Sequence, residues 1–302
     1  MNRRADLLLA LLALIWGASF LFIKVALDGF APTQIVAGRM VSGAAVLGVA
    51  VKFGAARYPR GLQDWKRVSI LALASNVFPF ALFAWGEQRV TSSLASVLNA
   101  TTPLWTAVLA AAAMVPGERL SPRRGVGLLL GFAGVVVIVE PWQTGSGEVL
   151  GELACVAAAG CYGLGFVFTS RRITGRIPPL SAAVGSVTAG AAMSTVVAVL
   201  AILVTGDTPR FALDTTAAVL ALGFFGTGLA YLFFFSLIDL AGPTVASTVT
   251  FAMPFVGVLL GVVVLDEHVG WNVGLGGLVV LTGILAVRRK ITVGEPLEVG
   301  AG

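Results

Sequence analysis

The sequence predicts an all-α integral membrane protein with ten transmembrane helices, arranged as two inverted-topology five-helix repeats. Composition is the first observation behind this: of 302 residues, 57% are hydrophobic and only 12% charged, about half the charge that a soluble domain carries. So few charges could not cover a water-facing surface, which excludes a soluble enzyme, a disordered chain and a nucleic-acid binder. The second observation is a series of apolar runs of the length a bilayer requires. The third is an internal duplication that sets the later runs on the earlier ones.

The first run covers 7–27. Arg3 and Arg4 precede it as in a secretory signal peptide, but the apolar stretch continues past Trp16 and Gly17 to Phe22 and Ile23. No A-x-A site closes it, which favours a retained span. Runs at 34–52, 68–86, 92–115 and 124–140 follow, then 150–169, 180–204, 215–237, 243–265 and 271–288. The connections are short, the longest being 53–67, so no extramembrane domain is available and function is expected inside the bilayer.

Basic residues orient the chain. With a cytoplasmic N-terminus, the inner segments collect Arg3, Arg4, Lys52, Arg57, Arg60, Lys66, Arg67, Arg119, Arg123, Arg124, Arg171, Arg172, Arg176, Arg288, Arg289 and Lys290, and the outer segments only Arg89 and Arg210. The alternation holds at every connection, so both termini are expected on the cytoplasmic side of the cytoplasmic (inner) membrane. The net charge of +5 is then an orientation signal and does not call for an anionic polymer.

Duplication is legible in three stretches. IWGASFLF, with Trp16 and Gly17, lines up with CYGLGFVF, with Tyr162 and Gly163. SLASVLNATTPLW matches TVASTVTFAMPFV and places Pro103 on Pro254, while GERLSPRRGVGLLLGFAG matches DEHVGWNVGLGGLVVLTG and places Glu118 on Glu267. The repeats are 1–145 and 146–302. Because each holds five spans, an odd number, the second enters the membrane from the opposite side, a construction typical of secondary transporters.

The Trp-Gly pair in the first span, the prolines of the fourth and ninth, the Gly-Glu and Asp-Glu pairs that close them, and the glycine-spaced fifth and tenth spans resemble the EamA-type transporters of the drug/metabolite transporter superfamily. The likeness runs from about Asp6 to Arg289 and rests on order and duplication, since each motif alone is short. It implies a transporter of small metabolites, amino acids or related compounds, with export the implied direction. One departure concerns the four-helix multidrug exporters of the superfamily, which carry a glutamate inside the first helix. Setting their lysine on Lys24 puts Trp16 at that position, and the matching helix of the second repeat offers Tyr162.

Polar groups inside spans are costly and mark candidate sites. A midplane cavity is expected to be lined by Trp16, Asn76, Phe80, Asn99, Tyr162, Thr227, Tyr231 and Thr250, which suits a neutral, zwitterionic or partly apolar metabolite. The repeat offset sets Thr227 on Asn76, Tyr231 on Phe80 and Thr250 on Asn99. Helix-to-helix hydrogen bonding is the competing reading of the same residues.

Charged or gating candidates are Lys24, Arg39, Glu87, Glu118 and Glu267. For Lys24 the plain alternative is an i,i+4 pair with Asp28. For Arg39 it is an ion pair with Glu87, against recognition of a substrate anion, and for Glu118 and Glu267 it is a tie to nearby arginines. Pro103 and Pro254 are expected hinges. Gly127/Gly131, Gly257/Gly261 and Gly270/Gly274 are small-xxx-small spacings for close helix packing within the chain or in a homodimer.

No metal or cofactor is expected: His268 is the sole histidine and reads as a solvated surface residue, and Cys155 and Cys161 lack a CxxC spacing. Without paired carboxylates or a histidine cluster in the spans, an enzyme is disfavoured. The expected partners are a small-molecule substrate and the lipid bilayer, not nucleic acid. A channel, receptor-like or scaffold protein is the alternative class, as is a drug or nucleotide-sugar exchanger of the same superfamily.

Overall fold

A computed structural model describes residues 3–114, 122–140, 146–246 and 248–287, and these are all helix and short connections. The helices are α1 (Arg3–Ala26), α2 (Pro32–Lys52), α3 (Leu62–Gly86), α4 (Ser92–Ala112), α5 (Pro122–Val139), α6 (Gly147–Ile173), α7 (Pro179–Thr205), α8 (Leu213–Gly242), α9 (Val249–Leu265) and α10 (Trp271–Val287). Seven are long and apolar enough to cross a membrane, and the apolar parts of α5, α9 and α10 are shorter, at 10–17 residues. At about 1.5 Å per residue a 17-residue helix still approaches the ~30 Å hydrocarbon core.

Helix ends follow local chemistry. Pro32 and Pro179 open α2 and α7, where a missing N–H costs nothing. Gly206 closes α7 at φ 74, a left-handed conformation that glycine adopts without strain. Gly242, at φ 83 and ψ 162, breaks the path after α8. The ninth span therefore differs from the expected 243–265, its long helix starting only at Val249. Similarly, α3 begins at Leu62 rather than 68, since Gly61 and the polar LQDWKR turn add two turns of helix before the apolar run.

The packing is pseudo-symmetric. α1 packs on α9 as α6 packs on α4; α2 packs on α8 as α7 packs on α3; and α2 meets α7, as α5 meets α10. The largest contacts between the halves therefore have counterparts with the repeats exchanged. One end of the bundle gathers the connections that follow α1, α3, α7 and α9: Arg210 N–H donates to the Gly29 carbonyl, and Gln34 Nε2 to Asp207 O at 2.7 Å. The other end gathers 53–61 and 173–178, with Ile173 and Ile177 packed against Val68, Leu71 and Trp65. Leu129, Leu203, Val204, Phe255, Val263 and Leu278 are exposed on the perimeter, as lipid-facing side chains must be.

α5 and α10 cross with backbones in contact. A Cβ on Gly283 would lie 2.5 Å from Gly131 N and 2.6 Å from Gly127 O, and one on Gly134 would lie 2.8 Å from Gly276 O. Gly257 and Gly261 meet Ser96 and Ser93 of α4. Packing within the chain thus accounts for these two spacings, whereas Gly274 faces open space.

Candidate functional site

Two wide π-helical turns interrupt α3 and α8, at Leu73–Val77 and Phe224–Leu229. The expected repeat offset carries Leu73 onto Phe224, so the same irregularity recurs at the same place in both halves. Such turns admit an extra residue into the helix and are frequent at functional sites. Asn76 sits in the first and Thr227 in the second, both buried to within 1% of full exclusion. Phe80 and Tyr231 follow one turn later.

Arg39, on α2 about 10 Å from the start of its helix at 1.5 Å per residue, links the second turn to Phe80. Its Nε donates to Thr227 Oγ1 at 3.0 Å, its Nη2 reaches Gly226 O at 3.5 Å, and its guanidinium lies 3.6 Å from the centroid of the Phe80 ring. Tyr231 donates its hydroxyl to Asn76 Oδ1 at 3.0 Å. Trp16 Nε1 donates to Gly226 O at 3.2 Å. The contacts close a ring: Arg39 to Thr227, one turn along α8 to Tyr231, across to Asn76, one turn along α3 to Phe80, and back to Arg39. Tyr162 of α6 packs on the same apolar cluster as Phe80 and Tyr231, and stacks on Phe83 at 6.2 Å.

Six expected lining residues thus come together: Trp16, Asn76, Phe80, Tyr162, Thr227 and Tyr231. Asn99 and Thr250 sit on α4 and α9; Asn99 ends the first segment of α4 and its buried Oδ1 has no hydrogen-bond partner among the described residues. Two clefts, about 500 Å³ and 270 Å³, open on the lipid-facing side of α1, α2 and α8, with exposed Phe225 in both.

The expected ion pairs are corrected. Among the described residues Arg39 has no carboxylate within 4.0 Å, and the only salt bridge is Arg67 to Asp64. Glu87 lies seven residues beyond Phe80 on α3 and makes no ion pair with Arg39 within 4.0 Å, so it acts on the guanidinium only as a more distant charge. Its side chain is fully buried and neither oxygen has a hydrogen-bond partner among the described residues. Lys24 does not turn to Asp28; its Nζ donates to the carbonyls of Glu87 at 2.6 Å and Val90 at 2.9 Å, capping the negative end of α3.

Glu267 ties to no arginine either. Its carboxylate accepts from Ser92 N (2.7 Å), Ser93 N (2.9 Å), Ser92 Oγ (3.1 Å) and Ser93 Oγ (2.6 Å), neutralising the positive end of α4. Burial alone would push this carboxyl up, but the serine hydrogen bonds prevail and hold it below the usual carboxylate range. A helix of the first repeat is thereby latched to a connection of the second. Glu118, the expected counterpart of Glu267, lies outside the described residues. Pro103 falls in the first turn of the second segment of α4, after a break at Ala100–Thr101, whereas α9 runs on through Pro254. The expected shared hinge is thus broken only on the α4 side.

Sequence reasoning missed Ser92, Ser93 and Gly226. The run Thr91-Ser92-Ser93 before an apolar stretch is a readable helix start, but its partner across the repeats is not. Gly226 acts through a carbonyl, which no side-chain pattern announces.

Comparison with known proteins agrees with this architecture. The EamA-like transporter family model matches residues 3–140 and 149–289, one match in each half. An uncharacterized transporter of Archaeoglobus fulgidus is 27% identical over 298 residues, 96% of this chain and 99% of that protein. The uncharacterized transporter YvbV of Bacillus subtilis is 26% identical over 98% of this chain and 95% of its own length. The uncharacterized inner membrane transporter YedA of Escherichia coli K12 is 26% identical over 83% of this chain and 79% of its own. A crystal structure aligns over 94% of this chain and 96% of that one with a TM-score of 0.63 at 21% identity, a likeness of fold alone. The chain is a multi-pass membrane protein of the EamA-like transporter family, a transporter rather than an enzyme.

Proposed function

We propose that the protein is a secondary transporter that moves a small metabolite across the cytoplasmic membrane by alternating access, with both termini cytoplasmic and export as its direction. The observation that carries this reading is the ring around Arg39: buried polar groups from both repeats, held by matched π-helical turns near the middle of α3 and α8, at the interface where inverted repeats place their substrates. Rocking of one repeat on the other would open this ring to one side and then the other. The Lys24 and Glu267 caps lie at the end that the basic residues assign to the outside, where they tie α1 to α3 and the α9–α10 connection to α4.

Two measurements test this. Purified protein in proteoliposomes should take up labelled amino acids faster than protein-free vesicles, and an imposed pH gradient should reveal coupling; equal rates across a broad panel would refute transport. In a background lacking Cys155 and Cys161, cysteines at the exposed positions Asp207 and Arg172 should label from outside and inside respectively. Labelling of both from one side would refute the ten-span arrangement.

A further inference from the structure

We propose, on the basis of that transport reading, that the ring around Arg39 is a carboxylate site and that the substrate presents one carboxylate on an apolar or aromatic body. A guanidinium withdrawn from water ordinarily keeps an anion beside it, because an uncompensated buried charge is far costlier than a paired one. Arg39 is 6% exposed, and no carboxylate among the described residues lies within ion-pair distance. Its Nε and Nη2 face a hydroxyl and a carbonyl of α8, and no described residue hydrogen-bonds its Nη1. A second donor is idle in the same ring: Asn76 Nδ2, fully buried and without a partner among the described residues, its Oδ1 being engaged by Tyr231.

A planar two-oxygen acceptor satisfies a guanidinium edge and an amide N–H together. The stoichiometry of charge also speaks. Arg39 is the one cation in the ring, Lys24 being committed to carbonyls at the end of α3, so one negative charge is matched and a phosphate dianion is not. Phe80, Tyr162, Tyr231 and Trp16 supply aromatic surface for the rest of the molecule. The second repeat offers no mirror of Arg39: the expected alignment of Pro32 with Pro178 sets Gly185 opposite it, so the pseudo-symmetric ring binds its anion on the α2 side only.

The test uses the full chain in detergent, its thermal unfolding midpoint read against L-phenylalanine, 3-phenylpropanoate, L-phenylalaninamide and sodium chloride at matched ionic strength. The two carboxylates should raise the midpoint and the amide should not. Arg39→Gln should weaken the protection at least tenfold, with Arg39→Lys retaining part of it. Asn76→Asp, nearly isosteric, supplies the missing counter-charge and should abolish carboxylate protection, which keeps the test decisive if Arg39→Gln does not fold. Protection by the amide equal to that by the acids, protection unchanged in these variants, equal protection by chloride, or no protection by any compound would each overturn the carboxylate site. Uptake of labelled L-phenylalanine separates this from the transport reading. Arg39-dependent protection without uptake keeps the site and removes transport, whereas uptake undiminished in Arg39→Gln keeps transport and removes the site.

Discussion

The α5/α10 pair and the α3/α8 pair are both repeat-equivalent, yet duplication treated them in opposite ways. In α5 and α10 the residues were kept: Gly134 meets Gly276, Gly283 meets Gly127 and Gly131, and the helices touch backbone to backbone. In α3 and α8 the shape was kept and the residues changed. Both carry the π-helical turn, but threonine takes the place of asparagine and tyrosine that of phenylalanine, and one arginine contacts a residue of each helix. A pair that holds the halves together tolerates little variation in volume, because interiors pack densely. On the proposed transport reading, a pair that surrounds a ligand must break chemical symmetry to bind an asymmetric molecule.

This contrast is best broken at the crossing. Gly283→Leu places a side chain against the Gly131 and Gly127 backbone, which cannot yield as a flexible side chain would. The cost of such overpacking starts at about 1–3 kcal/mol and should exceed that range here. The expected outcome is little monodisperse protein on size-exclusion chromatography after detergent extraction; a normal yield with normal uptake would show that the crossing is not the scaffold.

Next in size is the latch. Glu267→Gln removes the charge that draws four serine donors, and hydrogen bonds to a charged group contribute about 1.5–3 kcal/mol each. Accessibility of a cysteine at Ser96, buried on α4, should rise several-fold. The pH dependence has a definite sign. Because the folded carboxyl is held below its ordinary value, its contribution is complete above the unfolded pKa of about 4.3 and is lost as pH falls through the lowered folded value. Wild-type protein should therefore open in acid while remaining latched from about pH 5 to 8, and Glu267→Gln should lack that acid step. An identical acid profile in both would remove the latch.

Smaller again is Tyr231→Phe, which deletes the bond to Asn76 and leaves the ring's shape intact. A single buried hydrogen bond contributes about 0.5–1.5 kcal/mol, so uptake should weaken several-fold through KM with the protein still folded. A change confined to kcat would place Tyr231 outside the binding step.

What could be read in the sequence divides along the same line. Span positions, the duplication and the pairing of Asn76 with Thr227 were legible, because apolar length and periodicity are local signals and a repeat offset is arithmetic. The π-helical turns were not, since nothing in LASNV or FFGTGL distinguishes a wide turn from an ordinary one. Arg39 was legible as an oddity within a span, but its partners were not; the expected pairing with Glu87 followed charge alone, whereas the guanidinium takes Thr227, Gly226 and the Phe80 ring as its partners. Lys24 and Glu267 went to helix ends instead of opposite charges for a related reason: an unpaired helix terminus inside a bilayer competes as strongly for a charge as an ion does.

The smallest expected effect is the most informative about what lies beyond a single chain. Gly270/Gly274 was read as one of three close-packing spacings, yet a Cβ on Gly274 meets nothing within 4 Å. Within one copy Gly274→Ala should therefore be neutral or stabilising by up to about 1 kcal/mol, since alanine favours helix over glycine. Gly274→Leu should be tolerated as well, because lipid yields to a side chain where a helix does not. If Gly274→Leu lowers the unfolding midpoint or shifts the particle to a smaller size, α10 is packed against a second copy on that face, and the fifth and tenth helices form a scaffold between chains as well as within one. If both substitutions are silent, the glycine spacing there reflects duplication alone, since its counterpart Gly125 on α5 also meets nothing within 4 Å.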